Sequence, residues 1–201
     1  MFRFLILAVF LCHAAAAAAS QTVLVFGDSL SAGFGIGIEQ SWPALLAKRL
    51  EAGKPPYAVA NASISGETTA GGRSRLPAAL ERFKPAVVVI ALGANDGLRG
   101  LPLGQMRDNL AAMVRAAQAH KARVLLVGIK LPPNYGADYT AAFEETYRSI
   151  ARREKVALLP FLLEPIALDR DAYLADNFHP AAAAQPKILD HVWKALKPLL
   201  N

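Results

Sequence analysis

The chain has 201 residues, 54% of them hydrophobic and 19% charged, with a formal net charge of +6. Its one cysteine, Cys12, excludes an intrachain disulfide framework. The basic residues are scattered, as in Lys48-Arg49, Arg152-Arg153 and Lys194 with Lys197, a pattern of solvated helix faces that gives nucleic acid binding no support.

The first residues, Met1-Phe2-Arg3, lead into an apolar run from Phe4 to Cys12 and an alanine tract from Ala14 to Ala19 before Ser20-Gln21. A positive start, an apolar core and small residues at a cleavage site make the layout of a secretory signal peptide. Residues 1–19 are therefore expected to be removed, and residues 20–201 to form a single domain with a sizeable core. The apolar run falls short of the roughly 20 residues a bilayer needs unless the alanines are included, so no stable membrane anchor is expected after cleavage.

Four apolar runs then predict buried strands: Thr22 to Phe26, Ala86 to Leu92, Val124 to Gly128 and Val156 to Leu159, with Tyr57 to Ala60 a weaker fifth. Rich in Val, Ile and Leu without clear alternation, they suit a parallel sheet covered on both faces. Helical spacing lies between them. Ser41 is placed to cap a helix over Trp42 to Leu50, with Pro43 in its first turn. A helix between Thr69 and Phe83 is interrupted by Gly71, Gly72 and Pro77. Apolar stripes through Met106, Leu110, Met113, Val114 and Ala117, through Phe143, Tyr147, Ile150 and Ala151, and through Ile188, Leu189, Val192, Trp193 and Leu196 predict three more, the last starting near Pro186. Alternating strands and helices imply an α/β fold, a three-layer α/β/α sandwich around a parallel sheet of about five strands.

Functional loops of such sheets gather beyond the carboxyl ends of the strands, and four polar stretches fall there. They are Gly27-Asp28-Ser29-Leu30-Ser31, Asn61-Ala62-Ser63-Ile64-Ser65-Gly66-Glu67-Thr68-Thr69, Gly93-Ala94-Asn95-Asp96 and Asp176-Asn177-Phe178-His179-Pro180. A serine hydroxyl becomes a nucleophile when an imidazole takes its proton and a carboxylate fixes the imidazole's tautomer. Asp176 and His179 supply both groups on one loop. Taken singly, each stretch is also an ordinary turn or strand exit. His120 and His191, within helical patterns, read as surface histidines. A metal site built from Asp28, Asp96, Asp176 and His179 is the competing use of the same groups, but the set lacks a second nitrogen or sulfur ligand.

In order and spacing the four stretches resemble the sequence blocks of the SGNH or GDSL hydrolases, closest to the bacterial secreted group of acyl-thioesterase, lysophospholipase and arylesterase enzymes. The similarity runs from about Thr22 to the C-terminus and extends to Gly97-Leu98-Arg99-Gly100, Leu131-Pro132-Pro133-Asn134-Tyr135-Gly136 and Ala184-Gln185-Pro186. The resemblance implies a flavodoxin-like sheet, Ser29 as nucleophile, His179 as general base and then acid, and Asp176 as the orienting carboxylate. It further implies an oxyanion hole of the Ser29 and Gly66 N–H groups with the Asn95 amide. No Gly-x-Ser-x-Gly surrounds Ser29, so the strained elbow of the α/β-hydrolases is not the pattern here. The expected reaction is hydrolysis of a small-molecule acyl ester or thioester with no cofactor, in a secreted protein of the bacterial periplasm. Leu98, Leu101, Leu103, Leu131, Tyr135 and Phe178 are candidates for lining an acyl groove, although leucines at such positions also serve the core. A carbohydrate O-deacetylase and a non-catalytic lipid- or glycan-binding module are the alternatives.

Overall fold

The computed structural model describes residues 21–53 and 57–200, so the leader expected over residues 1–19 lies outside the described residues. Five strands form one parallel sheet: β1 (Gln21–Gly27), β2 (Tyr57–Asn61), β3 (Val87–Ala91), β4 (Arg123–Val127) and β5 (Ala157–Leu159), in the order β2-β1-β3-β4-β5. Val23 to Phe26 and Val87 to Ile90 are fully buried, because helices cover both faces. That is why these strands are continuous apolar runs rather than alternating ones.

Helices α1 (Ser29–Ala32), α2 (Trp42–Glu51), α3 (Thr69–Phe83), α4 (Ala94–Leu98), α5 (Leu103–Ala119), α6 (Ala137–Glu154) and α7 (Gln185–Leu196) complete the domain. α3, α5 and α6 pack side by side on one face of the sheet, while α2 packs against α7 on the other. The three layers agree with the sequence expectation, and α3 continues through Pro77. One local expectation is corrected. Ser41 stands at the cap position of α2, but its hydroxyl donates backward to Ile38 O at 2.6 Å instead of accepting from the helix.

Strand order places β1 and β3 side by side at the centre, with connections leaving β1 toward β2 on one side and β3 toward β4 on the other. A crevice opens at such a switch point. Gly27 at the end of β1 lies level with Ala91 at the end of β3. Beyond β2, the chain stays against β1: Ala62 N–H donates to Val25 O at 2.8 Å and Ile64 N–H to Gly27 O at 3.0 Å. The segments after β1, β2 and β3 therefore begin within one hydrogen-bonded strip.

At the end of β4, Gly128 donates to Leu159 O and accepts from Leu162 N–H. A Cβ there would lie 2.4 Å from the backbone oxygen of Pro160, which cannot swing away as a side chain does. Gly128→Ala is expected to cost about 1–3 kcal/mol in urea unfolding, the range for overpacking a filled site; an unchanged midpoint would contradict this close approach.

Candidate active site

Ser29 is the first residue of α1. Asp28 caps that turn by accepting from Leu30 N–H at 3.1 Å, while its backbone oxygen accepts from Ser31 and Ala32. The first amides of a helix have no acceptor within it, and the Ser29 N–H, at the first position of α1, is one of them. Gly33 ends the turn in the left-handed region at φ 80°, a conformation that suits glycine.

The partner loop is built by one carboxylate. Asp176 Oδ1 accepts from the N–H groups of Phe178 and His179, each at 2.9 Å, and Asn177 between them takes φ 56°, the left-handed region that asparagine tolerates. The other oxygen, Oδ2, lies 2.6 Å from His179 Nδ1. These bonds hold the Asp176 pKa down at about 2, the backbone bond from His179 first among them, then its side chain and then Phe178 N–H. An ionised carboxylate only accepts, so Nδ1 carries the proton and Nε2 faces outward as an acceptor. It is 2.9 Å from Ser29 Oγ.

The loop is tied at its base. Leu174 N–H donates to His179 O at 2.7 Å, Tyr173 and Pro180 form an antiparallel bridge, and Gln185 Nε2 donates to Pro180 O. Gln185 Oε1 also receives the N–H of Trp42 at 2.9 Å, joining this loop to the start of α2.

Gly66 takes φ 79° on the loop after β2, and its oxygen accepts from Arg99 at 3.1 Å. Asn95, in the first turn of α4, donates through Nδ2 to Glu67 O at 3.0 Å, which leaves its second amide hydrogen uncommitted. Asp96 beside it is buried and accepts from Thr69 N–H and Thr69 Oγ1–H, and Asn109 of α5 donates to the same hydroxyl. The structure thus brings Ser29, His179 and Asp176 into one hydrogen-bonded line. It ties Gly66 and Asn95 to adjoining loops. Asp28, Asp96 and Asp176 serve separate sets of N–H and O–H donors, and among the described residues no cluster of three His, Cys, Asp or Glu groups is placed to hold a metal.

A groove of about 780 Å³ opens beside the loop of His179, lined by Leu131, Phe178, Ile129, Phe161, Leu163 and Leu168 among others. Leu131 and Phe178 are the two of the six candidate residues that line it. The other four candidates are absent from this lining: Tyr135 donates its hydroxyl to Leu98 O, and Leu98 and Leu103 pack partly buried against the core. Phe34, which sequence reasoning did not single out, lies with its ring 4.3 Å from that of His179, and Phe178 meets the imidazole edge-on at 5.0 Å. The available signal was an aromatic residue flanked by Gly33 and Gly35 just after the serine turn. His120 pairs with Glu81 and His191 with the Phe161 carbonyl; neither joins the site.

Residues 25–185 match the GDSL-like lipase/acylhydrolase family. The esterase TesA of Pseudomonas aeruginosa is 55% identical over 91% of each chain. Thioesterase 1/protease 1/lysophospholipase L1 of Escherichia coli is 42% identical over 100% of this chain and 92% of its own length. A crystal structure of TesA superposes with a TM-score of 0.87 at 54% identity, covering 90% of this chain and 100% of the other.

Asp28 is 2% exposed, and burial raises its pKa from 3.8 to about 7, outweighing its backbone hydrogen bonds. Between those values the folded chain holds a proton that the unfolded chain releases, so this group makes stability fall as pH rises through that window. Asp28→Asn keeps an acceptor for Leu30 N–H and removes the titration. Thermal midpoints taken from pH 4 to pH 8 should show the variant gaining on the parent as pH rises, by an amount on the order of a few kcal/mol at most; parallel curves would contradict the burial of this carboxyl.

Proposed function

Because the chain belongs to the GDSL-like lipase/acylhydrolase family, we propose that its ester hydrolysis runs through an acyl-enzyme on Ser29. The protein is a serine hydrolase of the esterase, thioesterase and lysophospholipase type, acting on small-molecule esters or thioesters. The observation that carries the mechanism is the line from Ser29 Oγ through His179 Nε2 and Nδ1 to Asp176, with contacts of 2.9 and 2.6 Å.

Ser29 Oγ attacks the carbonyl carbon while its proton passes to Nε2. The imidazolium that forms faces the Asp176 carboxylate, which stays ionised throughout. Negative charge on the former carbonyl oxygen is received by the N–H groups of Ser29 and Gly66 and by the free hydrogen of the Asn95 amide. As the tetrahedral adduct collapses, the carbon–oxygen or carbon–sulfur bond breaks and Nε2 gives its proton to the leaving group. Water then enters, loses a proton to Nε2 and attacks the acyl carbon. The second collapse frees the acid and returns the proton to Ser29. No cofactor enters these steps.

An acyl chain suits the aliphatic and aromatic part of the groove beside the His179 loop, formed by Ile129, Leu131, Phe161, Leu163, Leu168 and Phe178, while Lys130 and Arg170 add a cationic part to the same lining. Phe34, Ile38, Ile64 and Leu168, the large hydrophobic residues left exposed among those described, all stand on the segments that follow β1, β2 and β5, Ile38 in a 3-10 turn. Such surroundings favour lipid-like esters over acetylated carbohydrate. Export belongs to the same proposal, since the leader pattern precedes a domain that begins at β1; N-terminal sequencing of protein recovered from the periplasm should start near Ser20, and an intact Met1 would overturn it.

Ser29→Ala is expected to abolish both turnover and labelling by a fluorophosphonate. Asn95→Ala should lower kcat by roughly 10² to 10³, the cost of one oxyanion donor, and full activity would remove Asn95 from the mechanism. Rates on p-nitrophenyl esters should rise from acetyl to octanoyl, whereas a sharp acetyl preference would count against the acyl groove.

A further inference from the structure

The loop that carries Gly66 runs from Ala62 to Glu67, between the end of β2 and the cap of α3. It has no regular structure of its own. One side chain from outside the pocket holds both of its ends. Arg75, on α3, donates through Nη1 to Ala62 O at 2.8 Å and through Nε to Glu67 Oε2 at 3.0 Å. Its guanidinium lies over the ring of Phe26, at 4.1 Å from the centroid, so the plane that makes these two bonds is fixed by packing on β1.

Glu67 is seated with equal care. Its Oε1 occupies the space that a Cβ on Gly71 would need, at a separation of 2.0 Å, so the carboxylate lies flat on the first turn of α3. The backbone oxygen of the same residue accepts the Asn95 amide at 3.0 Å. Arg75 therefore reaches Asn95 in two steps, through the Glu67 side chain and then its carbonyl, and reaches Gly66 through the peptide joining it to Glu67. The arrangement also has a cost: Nη2 of Arg75 is buried without an acceptor.

We infer that Arg75, acting through Glu67, is a positioning residue for the oxyanion pocket, setting the Gly66 N–H and the Asn95 amide where charge develops. The inference rests on the acyl-enzyme reading with those two groups as donors. Donors aimed at the tetrahedral oxygen act on the transition state far more than on the bound ester. Loss of the brace lowers kcat and leaves KM nearly unchanged.

The test is steady-state hydrolysis of p-nitrophenyl esters by Arg75→Met, Arg75→Lys and Glu67→Gln, with Ser29→Ala and Asn95→Ala alongside. Met keeps an apolar stem over Phe26 and removes both hydrogen bonds; kcat is expected to fall about ten-fold with KM within about two-fold, as for a small displacement of catalytic donors. Lys retains one charged donor and should restore part of the loss. In an Asn95→Ala background, Arg75→Met should cost clearly less than in the parent, because one of the groups it positions is gone. An unchanged kcat in Arg75→Met, or an equal fold-loss in both backgrounds, would overturn the inference. Should Arg75→Met fail to fold, Glu67→Gln decides: a kcat loss at constant KM, smaller in the Asn95→Ala background, supports the brace, and wild-type kinetics rejects it. An active Ser29→Ala would sink the acyl-enzyme reading itself, whereas a dead Ser29→Ala beside a fully active Arg75→Met sinks the brace alone.

Discussion

The bond between His179 Nε2 and Ser29 Oγ joins residues 150 positions apart in the chain, and every part of the fold that matters to the site serves to make that meeting reproducible. A parallel sheet is the device. All its strands leave at the same edge, so the loop after β1 and the loop before α7 arrive on one side of the molecule without any local instruction to do so. Apolar burial of β1 and β3 on both faces keeps their ends level. The bridge between Tyr173 and Pro180 and the double hydrogen bonding of Gln185 then hold the histidine loop against the start of α2. These anchors fix the imidazole beside the Ser29 hydroxyl without help from a bound molecule.

Around that contact, polar groups sit in places where an apolar side chain would cost less. Asp28 and Asp96 are buried carboxyls, and Thr69 and Asn109 join the second of them in a closed network. A buried polar group without partners costs more than one with them; Asp28 accepts from Leu30 within its own turn, and both oxygens of Asp96 accept from Thr69 on α3. The short α1 and α4 turns, too brief to be stable alone, are tied to their neighbours, α4 to α3 through Asp96 and α1 to the end of β2 through the Asn61 amide on Ser31 O. Such ties hold Asn95 through α4 and α3 rather than through its own short turn alone.

Much of this was legible beforehand because its causes are local. Val, Ile and Leu runs announced the strands, and the 3.6-residue stripes announced α5, α6 and α7. The spacing of Asp176 and His179 carries its own geometry, since a carboxylate three residues before an imidazole can close a turn on the intervening amides and still reach Nδ1. What misled were residues with more than one partner within reach. Ser41 has the right identity for a cap, but its hydroxyl donates to the Ile38 carbonyl and accepts from no amide of the helix. Leu98 and Tyr135 sit near the groove in sequence, yet the Tyr135 hydroxyl turns toward the Leu98 backbone. Phe34 offered only its place between Gly33 and Gly35 just after the serine turn, and Arg75 gave no signal that a single sequence distinguishes from an ordinary helix residue.

The sequence by itself determined the layers, the strand edge at which chemistry gathers, and the residue types offered there, because periodicity and short-range hydrogen bonding act over a few residues. Only the tertiary structure decided which of those groups meet. The reach of His179 to Ser29, the clasp of Arg75 on both ends of one loop, and the side of the sheet on which the groove opens all depend on contacts between distant segments. Those contacts are chosen by packing across the whole core, and no window of sequence contains them.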